Sequence, residues 1–128
     1  MDLSTLRYAE SHEWAKLDGS LVTVGITQFA VDQLTDVTHL QLPKVGAAVT
    51  AGQAFGEIES VKAVFDLNAP VTGEVVEVNS KLATDPSPIN ADCYEAGWML
   101  KVKLAAGANL DHLMDKARYD EQAASDGH

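Results

Sequence analysis

Apolar and polar side chains alternate along much of this chain, and Gly or Pro repeatedly stops the alternation. A period of two marks a half-buried strand, because successive side chains point to opposite faces of a sheet. Residues 21–26 put Val22, Val24 and Ile26 on one face, residues 38–42 alternate and stop before Pro43, and residues 71–78 form a further short strand. Residues 98–104 are the cleanest case, with Trp98, Leu100, Val102 and Leu104 predicted to face a core and Met99, Lys101 and Lys103 to face water. In the middle, residues 55–61 and the alternating Phe65, Leu67 and Ala69 give two more strands, the second ended by Pro70 and Gly73. Between them Val61-Lys62-Ala63 lacks the Asn-Gly or Asp-Gly of the commonest two-residue turns, yet a tight reversal is the economical connection. It holds Lys62 out at a hairpin tip.

Two stretches carry a helical period instead. Thr27 is placed to cap a short helix through Leu34, since Ala30, Leu34 and Val37 recur at i, i+4 and i+7. Gly107 and Asn109 open a closing helix whose apolar stripe is Leu110, Leu113, Met114 and Ala117, a packing face. Residues 80–88 hold Ser, Thr, Asp and two prolines and read as a loop or one helical turn. The polar tail, residues 120–128, is expected to fray. A faint echo links A-F-G-E-I-E-S with V-T-G-E-V-V-E-V-N, as a pair of pseudo-twofold-related sheets would show. Together these elements predict one mainly β domain over residues 1–128, its core at about 7–119, with helical additions.

Composition narrows the chemistry. A chain of 128 residues supports one real core, and aromatics are so sparse, 6%, that Val, Leu, Ile and Ala must build most of it. The net charge of −10 argues against nucleic acid and suits partners presenting basic patches. No run of about 18 apolar residues is present for a membrane span. Residues 1–7 carry neither a signal-peptide nor a transit-peptide pattern, so a cytoplasmic location is expected, or the mitochondrial matrix should a presequence be missing. The single Cys93 excludes an internal disulfide and reads as a half-buried small apolar residue. His12, His39, His112 and His128 show no metal-ligand spacing and are expected to be solvated. In Y-A-E-S-H-E-W, residues 8–14, Ser11 and His12 invite a nucleophile–base reading, but neighbours on a strand diverge. No nucleophile–base pair, metal cluster or phosphate loop stands out, so the chain is not expected to be an enzyme.

A lysine at a loop tip is ordinarily a solvated charge. Here Glu59 stands three residues before Lys62, and the small Ser60 and Ala63 leave the tip open. The run G-E-I-E-S-V-K-A, followed by D-x-x-A-P-x-x-G-E-V, resembles the lipoyl-lysine hairpin of the glycine cleavage system H proteins, and S-H-E-W and Gly97-Trp98 resemble the same family. The resemblance covers residues 7–119 and implies the barrel-sandwich hybrid of lipoyl and biotinyl carriers: two antiparallel sheets, a short early helix and a C-terminal helix. It implies lipoic acid in amide linkage to Lys62, arm docking by Ser11, Glu13 and Asp66, and recognition of the tip by a lipoate-protein ligase or lipoyl/octanoyl transferase through Glu59, with Gly46 and Gly73 shaping the turns.

The activity so implied is carriage of the aminomethyl group of glycine from the pyridoxal-phosphate glycine decarboxylase (P protein) to the tetrahydrofolate-dependent aminomethyltransferase (T protein), with reoxidation by dihydrolipoamide dehydrogenase (L protein). Two departures from the family pattern stand out: Thr35 where the family ends the early helix with Gly, predicting a rearranged helix exit, and Cys93 where it has Pro. Biotin carriers flank their lysine with methionines, whereas Val61 and Ala63 flank this one. A lipoyl domain of a 2-oxoacid dehydrogenase, usually with Asp-Lys-Ala, and an H-like lipoate donor for other complexes are the alternatives.

Overall fold

The computed structural model of the protein describes residues 5–126. Two antiparallel sheets make the body. A six-stranded sheet runs β1 (Arg7–Tyr8), β2 (Glu13–Asp18), β3 (Leu21–Ile26), β9 (Leu100–Leu104), β8 (Gly73–Val78), β5 (Ala48–Val49), and a three-stranded sheet runs β4 (Val37–Gln41), β6 (Ala54–Ser60), β7 (Val64–Asn68). Helix α1 (Gln28–Leu34) leads from the first sheet to the second; α2 (Lys81–Thr84) and α3 (Ser87–Ala91) fill the connection from β8 to β9, and α4 (Lys116–Asp126) closes the chain. The fold is the expected barrel-sandwich hybrid, with the proline-bearing loop resolved into two short helices.

The inward faces meet in a core of Val22, Val24, Ile26, Leu40, Ile58, Leu67, Val75, Leu100 and Val102, aliphatic as the composition requires. The aromatics gather elsewhere. Tyr8, Trp14 and Tyr119 form a second cluster with Leu6, and Tyr94 and Trp98 pack against it. The repeat echo has a physical counterpart: a Cβ on Gly56 of β6 would lie 2.1 Å from the Gln41 carbonyl oxygen, and one on Gly73 of β8 would lie 2.1 Å from that of Lys103. Each sheet thus uses a glycine where a neighbouring strand's backbone comes too close for a side chain.

Several expectations are corrected. Met99, assigned to the wet face, is fully buried, because it precedes β9 and ties into the sheet through its N–H to the Val24 carbonyl (2.8 Å). The closing helix begins at Lys116. Residues 110–114 cannot join it, since Met114 exchanges two backbone hydrogen bonds of 2.8 Å with Tyr8, as extended chain does. Asp115 caps α4, its carboxylate accepting the Arg118 N–H (2.9 Å). The supposed tail is helix through Asp126, with Tyr119 buried and Lys116 paired to Asp120 one turn on. Residues 9–12 form a turn between β1 and β2, where an extended strand was expected.

Thr35 has a positive φ of 60°, but its ψ of −122° lies outside the left-handed helical region in which a glycine usually closes a helix, so the exit departs from that closure as the substitution predicts. Asn90 of α3 supports it: its side-chain amide donates to the Thr35 carbonyl, and its oxygen accepts the Val37 N–H (3.0 Å). Cys93 is buried more completely than expected. Its carbonyl accepts the Trp14 indole N–H at 3.1 Å, and burial pushes its thiol up to about 12, far from a reactive thiolate.

Candidate functional site

Lys62 lies exposed at the reversal between β6 and β7. The reversal uses no positive φ at Val61 or Lys62, so the usual hairpin turns do not account for it. Ser60 does. Its N–H donates to the Ala63 carbonyl (2.8 Å), and its hydroxyl oxygen accepts the N–H groups of Lys62 and Ala63, each at 3.1 Å. A second tie runs from the Val61 N–H to the Asp36 carbonyl (3.2 Å). The backbone at Lys62 is therefore fixed while its side chain is free to extend. Around it Val61, Val64 and Phe65 are 67%, 58% and 48% exposed, an apolar collar on an otherwise acidic chain.

Four residues beyond Lys62, about 13 Å of extended chain, Asp66 reaches the rim of a cavity of about 600 Å³. Its walls include Phe29, Gln33 and Leu34 of α1, Ile58, and Phe65 to Asn68 of β7; Ser11 and His12 line it too, and the buried Glu13 forms its closed end. All three expected arm-docking residues, Ser11, Glu13 and Asp66, line this one space. Lys62, Glu59, Gly46 and Gly73 do not. Glu59 is exposed beside Ser60 in the same hairpin. Gly46 (φ +94°) and Gly73 belong with the other sheet, where the Gly46 N–H reaches the Val75 carbonyl at 2.7 Å and Gly73 passes close to Lys103.

Glu13 is 1% exposed. The Ser11 hydroxyl donates to one carboxylate oxygen, and the Asn68 N–H donates to the other at 3.1 Å. Among the described residues no lysine or arginine pairs with it. Burial dominates the two donors and raises its carboxyl to about 7. A buried acid poised at neutral pH, at the closed end of an apolar cavity, is suited to receive a cation.

Sequence reasoning placed Ser11 and His12 on opposite faces of a strand. The structure separates them by another route. His12 takes a left-handed conformation (φ 74°), so that Ser11 converges on Glu13 while the imidazole turns to Tyr119, its Nδ1 2.8 Å from the phenol oxygen. His12 is thus half-buried and bonded, and His112 places Nε2 2.7 Å from the Pro70 carbonyl; neither is simply solvated. His39 is exposed as expected, and His128 lies outside the described residues. Ser60, Asn68, Thr27 and Tyr119 were not foreseen as site residues. Ser60 had a local signal, a turn-forming side chain two residues before the lysine; the others had none.

The glycine cleavage H-protein family matches residues 6–126. The chain is 52% identical over 117 residues to the mitochondrial glycine cleavage system H protein of Oryza sativa subsp. indica, covering 91% of this chain and 71% of that protein. It is 50% identical over 120 residues to the glycine cleavage system H protein of Phenylobacterium zucineum, covering 94% and 99%. A crystal structure of a glycine cleavage system H protein from Mycobacterium marinum superposes with a TM-score of 0.84 at 38% identity over 98% of both chains. A lysine-tipped hairpin beside an acid-ended cavity, on this fold and with these relatives, leaves one assignment: the chain belongs to the glycine cleavage H-protein family.

Proposed function

We propose that Lys62 carries lipoate in amide linkage and that the protein shuttles the aminomethyl group of glycine between the P and T proteins, with the L protein restoring the disulfide. The observation that supports this most is that one hairpin supplies both the exposed lysine and, through Phe65 and Asp66, a wall of the cavity that Glu13 closes. The residues fit such an arm: an open, backbone-fixed lysine, an apolar collar, and an apolar-walled cavity of ligand size ending in an acid. When bound, lipoate supplies the dithiolane sulfurs on which a one-carbon amine is carried.

The chain's own contribution is placement and protection. Val61, Val64 and Phe65 give the arm an apolar track, and the cavity walls exclude water. A cationic amine entering the closed end pairs with Glu13 as the carboxylate, any proton on the carboxyl being released to solvent, while Ser11 and the Asn68 N–H keep the carboxylate oriented. Asp66 adds a second negative charge at the rim. Tethering at Lys62 makes each transfer a local search at high effective concentration. Bond-making belongs to the partner enzymes; in this chain Ser11 is bonded to Glu13 and His12 to Tyr119. A lipoate-protein ligase or lipoyl/octanoyl transferase would read the tip through Glu59. The compartment is that of the host's system: the rice relative is named mitochondrial, the Phenylobacterium one is not, and no helix among the described residues is long and apolar enough to cross a membrane.

Intact mass of the protein from its native host, with peptide mapping, tests the reading. A lipoyl increment on Lys62 alone is expected, followed by activity in a glycine decarboxylase exchange assay. A biotin increment, or none with ligase and lipoate supplied, overturns it. Lipoylation of the purified Glu59→Ala protein should slow sharply; full modification at the wild-type rate removes the recognition role.

A further inference from the structure

We propose that Tyr119 is a positioning residue, through which α4 holds the His12 turn in the left-handed form that brings Ser11 and Glu13 together at the closed end of the cavity. The inference deepens the proposed function, since the cavity it concerns is the one assigned there to the arm.

The Tyr119 hydroxyl lies 2.8 Å from His12 Nδ1 and 2.6 Å from the Thr27 hydroxyl, so it can donate to one and accept from the other. Thr27 serves two elements at once. Its oxygen caps α1 by accepting the Ala30 N–H (3.3 Å), and its N–H donates to the His12 carbonyl (3.0 Å). One phenol oxygen thus joins α4, the start of α1, which carries the cavity wall residue Phe29, and the turn bearing Ser11 and Glu13. The ring is placed as firmly as the oxygen: Tyr119 is buried, stacks on Tyr8 with centroids 4.6 Å apart, and meets the His12 ring edge-on at 5.6 Å. On its other side the His12 ring packs against Phe29 at 4.5 Å.

Further ties bind the same C-terminal segment to the turn and to the strand that enters it. Met114 pairs with Tyr8, and the Gln122 side-chain amide donates to the Glu10 carbonyl at 2.8 Å. A left-handed non-glycine residue persists only when its surroundings over-determine it, and α4 supplies those surroundings. Without them the turn would relax, Ser11 would leave Glu13, and water would reach the carboxyl. Three other titratable groups line the same cavity, Glu10, His12 and Asp66.

The test is titration of Glu13 by NMR in the unlipoylated protein, for wild type, Tyr119→Phe, His12→Asn and Lys116→Ala. Phe keeps the stacked ring and removes only the hydroxyl. Asn tolerates the left-handed backbone and removes the imidazole. Lys116→Ala removes only the exposed α4 pair with Asp120 and leaves the phenol bonds intact, a control for surface change on the same helix. Glu13 should titrate near 7 in wild type and Lys116→Ala, and shift down toward 4.5 in Tyr119→Phe and His12→Asn. An unchanged titration in Tyr119→Phe, or an equal shift in Lys116→Ala, overturns the proposal; His12→Asn decides if Tyr119→Phe does not fold. The lipoylated, aminomethyl-loaded protein gives a separate reading. Several-fold faster decay in Tyr119→Phe supports both proposals, whereas a shifted titration with unchanged decay supports the role of Tyr119 and overturns the docking role of the cavity.

Discussion

The hairpin tip and the closed end of the cavity are built in opposite ways. At the tip, the bonds that fix Lys62 come mainly from Ser60, two and three residues from the groups it holds. At the cavity end, Glu13 is held by Asn68, 55 residues away, Thr27 meets Tyr119 at a separation of 92, and His12 meets Tyr119 at 107. An attachment point must be presented to a modifying enzyme, and a short self-bonded turn does that almost independently of the rest. A compartment that shelters a cation needs a desolvated acid, and desolvation takes several elements packed together. The tip should therefore tolerate damage elsewhere, while the cavity should register it.

Lys62→Arg is the sharpest break. It should abolish the mass increment and all carriage while leaving the fold intact, since the side chain is exposed; mass spectrometry, the exchange assay and circular dichroism check it. Next comes Glu13. Folding raises its carboxyl from 4.5 to about 7, so the folded state holds the proton more tightly. Stability is then flat below pH 4.5, falls as pH rises to about 7, and is flat again above. At 1.36 kcal/mol per unit the fall is about 3 kcal/mol. Glu13→Gln should lose this slope and exceed wild type at pH 8 by up to about 3 kcal/mol in urea unfolding, while its loaded form decays faster. Parallel pH–stability curves for the two proteins would sink the assignment of a buried neutral acid.

Gly73→Ala separates structure from recognition. Its Cβ would meet the Lys103 carbonyl oxygen at 2.1 Å and Val102 Cγ1 at 2.7 Å, where backbone cannot yield. A cost of about 3 kcal/mol is expected, with the folded fraction still lipoylated at the wild-type rate; slowed modification of fully folded protein would support a recognition role. The smallest effect belongs to Ser60→Ala, which removes the acceptor for two turn N–H groups that water can partly replace. We expect a loss of about 1 kcal/mol and slower lipoylation, with Glu13 titrating as in wild type. A shifted Glu13 would contradict the independence of the two regions.

Much of this was readable before folding. Period-two alternation set the strands of both sheets, Thr27 announced α1 and does cap it, and the G-E-I-E-S-V-K-A run marked Lys62 within its hairpin. Glu59, next to the turn, is exposed, and the recognition role proposed for it requires that. Where the reading failed, competing long-range bonds were the cause. The apolar stripe at Leu110 to Met114 suggested helix, but pairing with Tyr8 claimed Met114 as extended chain. Residues past Asp120 looked polar enough to fray, but Tyr119 and Gln122 anchor that helix to the β1–β2 turn.

Features that depend on neighbours along the chain could be read without a fold: strand phase, the α1 cap, and the exposed lysine with its turn-forming serine. It took packing between distant segments to bring Ser11, Glu13 and Asp66 to one cavity, to bury Glu13 so that its carboxyl rises to about 7, and to set the Tyr119 hydroxyl of the last helix against His12. Burial and positive φ at a non-glycine residue are properties of a surrounding shell, and that shell exists only once distant segments have packed.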